Sequence, residues 1–224
     1  MPTTNSWGNT VAAAGVTFNG GTFAAGTDAL DNAVNIGTLA NAGRTTTIGN
    51  TTAASVLALK YGTGDFTLAS ATGTVMSALD TGEVTMPLQP AFLAGGNAVA
   101  NVSGDGTAYT ITWGETIDRN GDYDGTSTFT APVTGFYMFC AVVECTDWNV
   151  AITRGNFNIV TSNRPFGNFI MNWNPVVNAN DITLSTSCLC DMDAGDTCTV
   201  RINFQNGAKQ IDFAGGTFSG ILLS

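Results

Sequence analysis

The run TCTVRINFQ, residues 197–205, alternates throughout: Cys198, Val200, Ile202 and Phe204 fall on one side, Thr199, Arg201, Asn203 and Gln205 on the other. A period of two puts all four apolar side chains on one face of a strand, whereas a helix would scatter them around its axis. The same grammar recurs in AYTITW, where Tyr109, Ile111 and Trp113 share a face against Thr110 and Thr112. NFNIV, NFIMNW and ITLSTSCLC read as further strands. Between them stand turn signals: NG at 120–121, GN at 155–156, NAND at 178–181, DAGD at 193–196, NGA at 206–208 and GG at 215–216. Many strands at this spacing predict a β-sandwich or jelly roll. Helical alternatives lack material, because the chain has two Lys, three Glu and only 11% charged residues.

Residues 1–87 behave differently. Short apolar clusters sit between Gly, Thr and Asn: VNIGT, TTTIGNTT, SVLALKYGTGDFTLAS, TGTVMSALDTGEVTM. LALKYGTGDFTL reads as two short strands, Leu57/Leu59 and Phe66/Leu68, around a turn at Gly62 and Gly64. Each strand offers too few apolar side chains to offset the entropy of ordering it alone. Burial against copies of the same chain around a common axis solves that problem, and predicts a stalk whose stability is inseparable from assembly. Pro87 and Pro90 in MPLQPAFLAGG mark the boundary, giving a stalk over 1–87 and a sandwich over 88–224. The closing GTFSGILLS carries Ile221, Leu222 and Leu223 almost to the last residue, which predicts a central strand or a subunit contact rather than a fraying end.

Several function classes are excluded. The chain has no His, so Ser-His-Asp catalysis, Cys-His catalysis and His-containing zinc sites cannot be built. A net charge of −10 argues against nucleic acid and anionic membrane surfaces, and no apolar run is long enough to span a bilayer. MPTTNSWGNT at the start shows neither the basic nor the apolar region of a secretory signal. Five Cys, at 140, 145, 188, 190 and 198, cannot all pair within one chain. Cys188 and Cys190 share a strand face, which suits either a redox pair or, more simply, small buried hydrophobes.

FTAPVTGFYMF, with Phe129, Ala131, Pro132, Gly135, Tyr137 and Phe139, resembles the complement C1q globular-head family within the C1q/tumour-necrosis-factor-like group. QPAFLA, DRNGDYDGTSTF, MDAGDTCTV and GTFSGILLS match that family's other motifs in order over residues 88–224. Two departures mark a distant member: Ala141 stands where a further aromatic is usual, and the Tyr123–Phe129 spacing is one residue short. The resemblance implies a ten-stranded jelly roll assembling as a homotrimer. The first half is similar to phage tail-fibre shafts and trimeric bacterial adhesins, in phrases such as IGNTT. Together these imply an all-β, interwoven trimeric stalk carrying a C1q-like head. The chain is then a non-enzymatic, extracellular fibre tip on a virion or bacterial surface that binds a cell-surface glycan or protein receptor.

The expected ligand-binding residues are Tyr123, Trp148 and Trp173, aromatic faces that suit sugar rings, with Asp147 as a polar neighbour, although a place in the sandwich core or trimer interface is the commoner one for such rings. DRNGDYDG places Asp118, Asn120, Asp122 and Asp124 at alternate positions, the oxygen spacing of a calcium loop, but Phe129 occupies the place of the distal Glu. A solvated hairpin turn explains the loop as well, and no other cofactor is expected. Two acidic clusters, Asp118/Asp122/Asp124 and Asp191/Asp193/Asp196, have the residue type of a glycosidase, in turns where Asp is favoured for backbone hydrogen bonding.

Overall fold

A computed structural model describes residues 64–148, 151–166, 171–172 and 181–223. Expectations resting on residues 1–63, including the Leu57/Leu59 strand, lie outside the described residues, as does Trp173. The chain divides into two compact units, Met1–Lys60 and Tyr61–Ser224, and all of the described residues belong to the second.

Every element described is a strand. A three-stranded antiparallel meander comes first: β1 (Phe66–Ser70), β2 (Gly73–Ala78) and β3 (Val84–Thr85). Then follow β4 (Ala91–Gly96), β5 (Val99–Ser103), β6 (Ala108–Thr110), β7 (Trp113–Asp118), β8 (Phe129–Thr130) and β9 (Gly135–Thr146). The chain continues through β10 (Arg154–Thr161), β11 (Pro165–Phe166), β12 (Met171–Asn172), β13 (Ile182–Met192), β14 (Thr197–Gln205) and β15 (Ile211–Leu222). One sheet runs β13-β9-β15-β4-β7 with β5 on β15; the other runs β11-β10-β14-β6 with β12 on β10 and β8 on β14. Consecutive strands alternate between sheets at β8/β9, β9/β10, β13/β14 and β14/β15, which is the wiring of a jelly-roll sandwich. The terminal strand β15 lies between β9 and β4, a central position, which is one of the two places its apolar sequence predicts.

Alternation on β14 is realised in full: Cys198, Val200, Ile202 and Phe204 are all completely buried. AYTITW is subtler. Its alternation is unbroken, but Tyr109 belongs to β6 in one sheet and Trp113 opens β7 in the other, so the chain changes sheets at Ile111–Thr112. FTAPVTGFYMF likewise crosses the sandwich, β8 pairing with β14 and β9 with β13 and β15. Its turn is fastened twice. Tyr137 Oη donates to the Val133 carbonyl at 2.7 Å, and Ala131 exchanges backbone bonds with Asp196 and Gly195 at 2.8 Å each.

The core is aromatic. Phe92 stacks on Tyr123 (5.0 Å, 3°) and on Phe129 (5.1 Å, 15°) and meets Phe218 edge-on at 4.9 Å. Tyr137 and Phe139 stack alongside at 6.1 Å, and Trp113 sets its edge on Phe213 at 5.4 Å. Two glycines on β15 make room. A Cβ on Gly220 would stand 2.6 Å from the Phe139 and Phe92 rings; one on Gly216, at φ +145°, would stand 2.0 Å from the Val142 carbonyl oxygen.

Candidate functional site

The outer face of the β13-β9-β15-β4-β7 sheet is the most unusual surface described. Strand β9, GFYMFCAVVECT, turns Tyr137, Phe139, Ala141, Val143 and Cys145 inward, yet its outward residues Phe136, Met138, Cys140 and Val142 are also apolar until Glu144. A strand apolar on both faces has the composition of one covered on both sides. The ladder extends this face row by row. Leu189, Met138, Ile221 and Ala91 lie across one row; Ser187, Cys140, Ser219, Leu93 and Ile117 across the next; Ser185, Val142, Thr217 and Gly95 across the third. No charged residue enters these rows; Asp191 beside Phe136 and Glu144 opposite Thr183 stand at their ends. Phe136 (51%), Leu189 (52%) and Ile221 (44%) are half exposed, a contiguous apolar patch with a charged rim.

By sequence GFYMF reads as scaffold, and its family resemblance does not single out Phe136, Met138, Val142 or Leu189. The available signal is the failure of alternation: GFYMFCAVV is an uninterrupted apolar run where a strand facing water on one side alternates.

The sandwich has two distinct ends. At one, β4 begins and β15 finishes: Leu222 N–H donates to the Pro90 carbonyl at 3.0 Å, and Gln89 Nε2 donates to the Leu222 carbonyl. The loop between β7 and β8 lies at this end. Here Asp118 accepts backbone N–H bonds from Asn120, Gly121 and Asp122 on Oδ1 (3.2–3.3 Å) and from Tyr123 on Oδ2 (2.9 Å). Asp124 Oδ1 accepts from Thr126, Ser127 and Thr128 at 2.8, 2.7 and 3.0 Å. Burial alone would raise the Asp124 pKa; the Thr128, Ser127 and Thr126 N–H groups outweigh it and hold the carboxyl at about 2. Asn120 Nδ2 donates to the Leu88 carbonyl at 2.9 Å.

These oxygens serve the backbone of a turn, and among the described residues no group of three or more His, Cys, Asp or Glu converges as metal ligands. Asp122 differs: its Oδ2 is buried without a hydrogen-bond partner, and burial, then the neighbouring Asp118 charge, push its pKa up. It lines an apolar cleft of about 580 Å³ with Val75, Met86, Pro132 and Leu222.

Tyr123 belongs to the core, 4% exposed and stacked on Phe92, so its ring is not offered to a ligand. Asp147 and Trp148 lie at the other end of the sandwich, past the end of β9. Asp147 is exposed at φ 59°, its carbonyl accepting from Gln210 Nε2 at 3.0 Å; Trp148 is half-buried, edge-on to Phe204 at 4.8 Å. The expected ligand residues are therefore not brought together: Tyr123 and the Asp118–Asp124 loop occupy one end, Asp147 and Trp148 the opposite one. The second end is built from three short connections, 104–107, 147–153 and 206–210, of which 149–150 lie outside the described residues. They are tied by Gly207 N–H to the Gly104 carbonyl (3.0 Å) and Asn206 Nδ2 to Thr153 Oγ1 (2.6 Å).

The other acidic cluster is also engaged. Asp196 accepts from Ser162 Oγ and Asn163 Nδ2 at 2.7 Å each, and Asp191 pairs with Arg164, whose guanidinium lies over Phe166 at 5.1 Å.

No family model matches the sequence, and no curated protein is similar to it. Solved structures do resemble it. The globular domain of zebrafish complement 1qA protein is 18% identical, covering 61% of this chain and 98% of its own, at a TM-score of 0.43. Murine APRIL at pH 8.5 is 12% identical, covering 60% of this chain and 99% of its own, at a TM-score of 0.42.

Proposed function

We propose that this chain is a homotrimeric fibre end, residues 1–87 forming the stalk and 88–224 a head that attaches to a cell-surface glycan or protein receptor. The observation that carries the reading is the apolar outer face centred on Met138, Leu189 and Ile221. A patch of this kind, free of charge and spread over adjacent strands, costs solubility unless another surface covers it, and a copy of the same chain supplies one. The meander β1–β3 supports the same reading, because Leu68, Val75 and Val84 remain largely exposed within one chain.

The two ends of the sandwich give the head a direction. The chain enters the sandwich from β3 at the end holding Pro90 and Leu222, and the loops with Asp147 and Trp148 lie at the opposite end. Three such loop sets on one trimer, repeated over several fibres, raise avidity without strong single contacts. Attachment without cleavage fits Asp118, Asp124 and Asp191, whose carboxylates are committed to turns and to Arg164.

Sedimentation of the full chain tests assembly, with three times the chain mass expected and a monomer overturning the proposal. Ile221→Lys places a charge in the middle of the face. It is expected to lower the mass while far-UV circular dichroism stays unchanged, because the position is exposed in the single chain. On the intact trimer, glycan-array binding without release of reducing sugar supports attachment; release of reducing sugar would make it an enzyme.

A further inference from the structure

Among the described cysteines, two are in direct contact: Cys188 Sγ and Cys190 Sγ lie 3.2 Å apart on the inward face of β13. We propose that Cys188 and Cys190 are a redox-active dithiol that closes to a reversible Cys-Leu-Cys disulfide when a low-molecular-weight disulfide is the oxidant.

Position divides the labour between them. Cys188 is half-buried and reachable from the edge of the sandwich, whereas Cys190 is fully buried. The hydrogen bond from Cys190 lowers the Cys188 pKa, and the same contact, with burial, raises that of Cys190. An accessible thiol with the lower pKa is the attacking group, and its buried neighbour is the resolving one. Strand β13 permits closure because it is the edge strand of its sheet, laddered only to β9 among the described residues. The sulfurs must approach from 3.2 Å to about 2.05 Å, and a strand free on one side can pucker at Leu189 without breaking a second ladder. Both sulfurs lie on the inner face, while Leu189 between them stands on the outer face of the proposed subunit contact, so closure and assembly meet at this residue.

The steps balance. Cys188 thiolate attacks one sulfur of the oxidant RSSR, forming Cys188–S–S–R and expelling RS⁻, which takes up a proton. Cys190 loses its proton to solvent and attacks Cys188 Sγ, forming the Cys188–Cys190 bond and expelling a second RS⁻. The protein loses two protons and two electrons; RSSR gains them and becomes two RSH. A ring this small constrains the unfolded chain little and carries strain, so a readily reduced bond is expected rather than a structural staple.

Cys198 is the competing thiol, since it is buried in the opposite sheet near the pair, and burial raises its pKa. Cys140 is exposed on the outer face and reacts independently. The sequence separates all of these: cleavage before Asp181 and Asp191 releases DITLSTSCLC, which holds Cys188 and Cys190 alone.

The experiment incubates folded, reduced full-length protein with oxidised glutathione, then alkylates under denaturing conditions, cleaves before Asp and weighs this peptide. Two hydrogens lost and no alkyl group added is the expected result. Cys190→Ser should instead retain glutathione on Cys188, raising that adduct about tenfold or more over the wild type. Cys198→Ser should leave closure unchanged, and serves as the deciding variant if Cys190→Ser does not fold. A doubly alkylated peptide, glutathione persisting on wild-type Cys188, or a Cys188–Cys198 link would each overturn the proposal.

Discussion

The meander β1–β3 and the sandwich that follows it are built from the same kind of element yet differ in what holds them. In the sandwich, strands as long as Gly135–Thr146 bury every second residue, and Phe92, Phe129, Phe139 and Phe218 interlock. In the meander, strands of two to six residues leave Leu68, Val75 and Val84 between 45% and 59% exposed, with Ser77 its one buried residue. Hydrogen-bonded pairing alone does not make a stable unit; a second layer to receive the apolar face does. One part carries its own core, and the other leaves its apolar side chains open in the single chain.

The largest effect that tests this contrast is Phe139→Ala, expected to cost about 3–5 kcal/mol in urea denaturation, because a fully buried ring leaves a cavity among four others. Leu68→Ala in the meander should cost within about 0.5 kcal/mol in a dissociated chain. A larger loss seen only in the assembled protein would show that copies cover the meander. Equal losses in the single chain would abolish the distinction.

Next in size is Gly216→Ala. Its φ of +145° and the Val142 carbonyl, 2.0 Å from an added Cβ, predict a loss of about 1–3 kcal/mol and a lower thermal midpoint. A neutral result would mean that β15 and β9 can part at their bulge.

The smallest effect concerns pH. Asp124 has a folded pKa of about 2, below the unfolded value of about 3.9, so its stabilisation is complete above pH ~4 and is lost as pH falls toward 2. Because the group is largely exposed, solvent screening reduces its contribution to about 0.5 kcal/mol. Asp124→Asn should flatten the acid limb of a stability–pH curve by that amount. An unchanged limb would show that the turn does not need the charge.

The fold was legible to a high degree. Period-two patterns in TCTVRINFQ and AYTITW, the turn residues and the apolar terminus led to an all-β jelly roll with β15 in a central position. The site was less so. Tyr123 follows an Asn-Gly turn, and nothing local distinguishes a ring directed at solvent from one stacked on Phe92, 31 positions away. The oxygens at Asp118 and Asp124 match a calcium spacing, yet local N–H groups use the same lone pairs, and the choice depends on how the loop is wound.

By itself, then, the sequence determined which residues are strand and which alternate faces, because side-chain direction along a strand is a local property. It also determined that no histidine chemistry is possible and that Cys188 and Cys190 share a side. Only the tertiary structure decided which of two apolar faces of β9 meets the second sheet and which stays open. It alone separated Tyr123 from Trp148 to opposite ends and left Cys188 reachable at an edge. These depend on strand order and on the crossings between sheets, which are set by contacts between residues far apart in the chain.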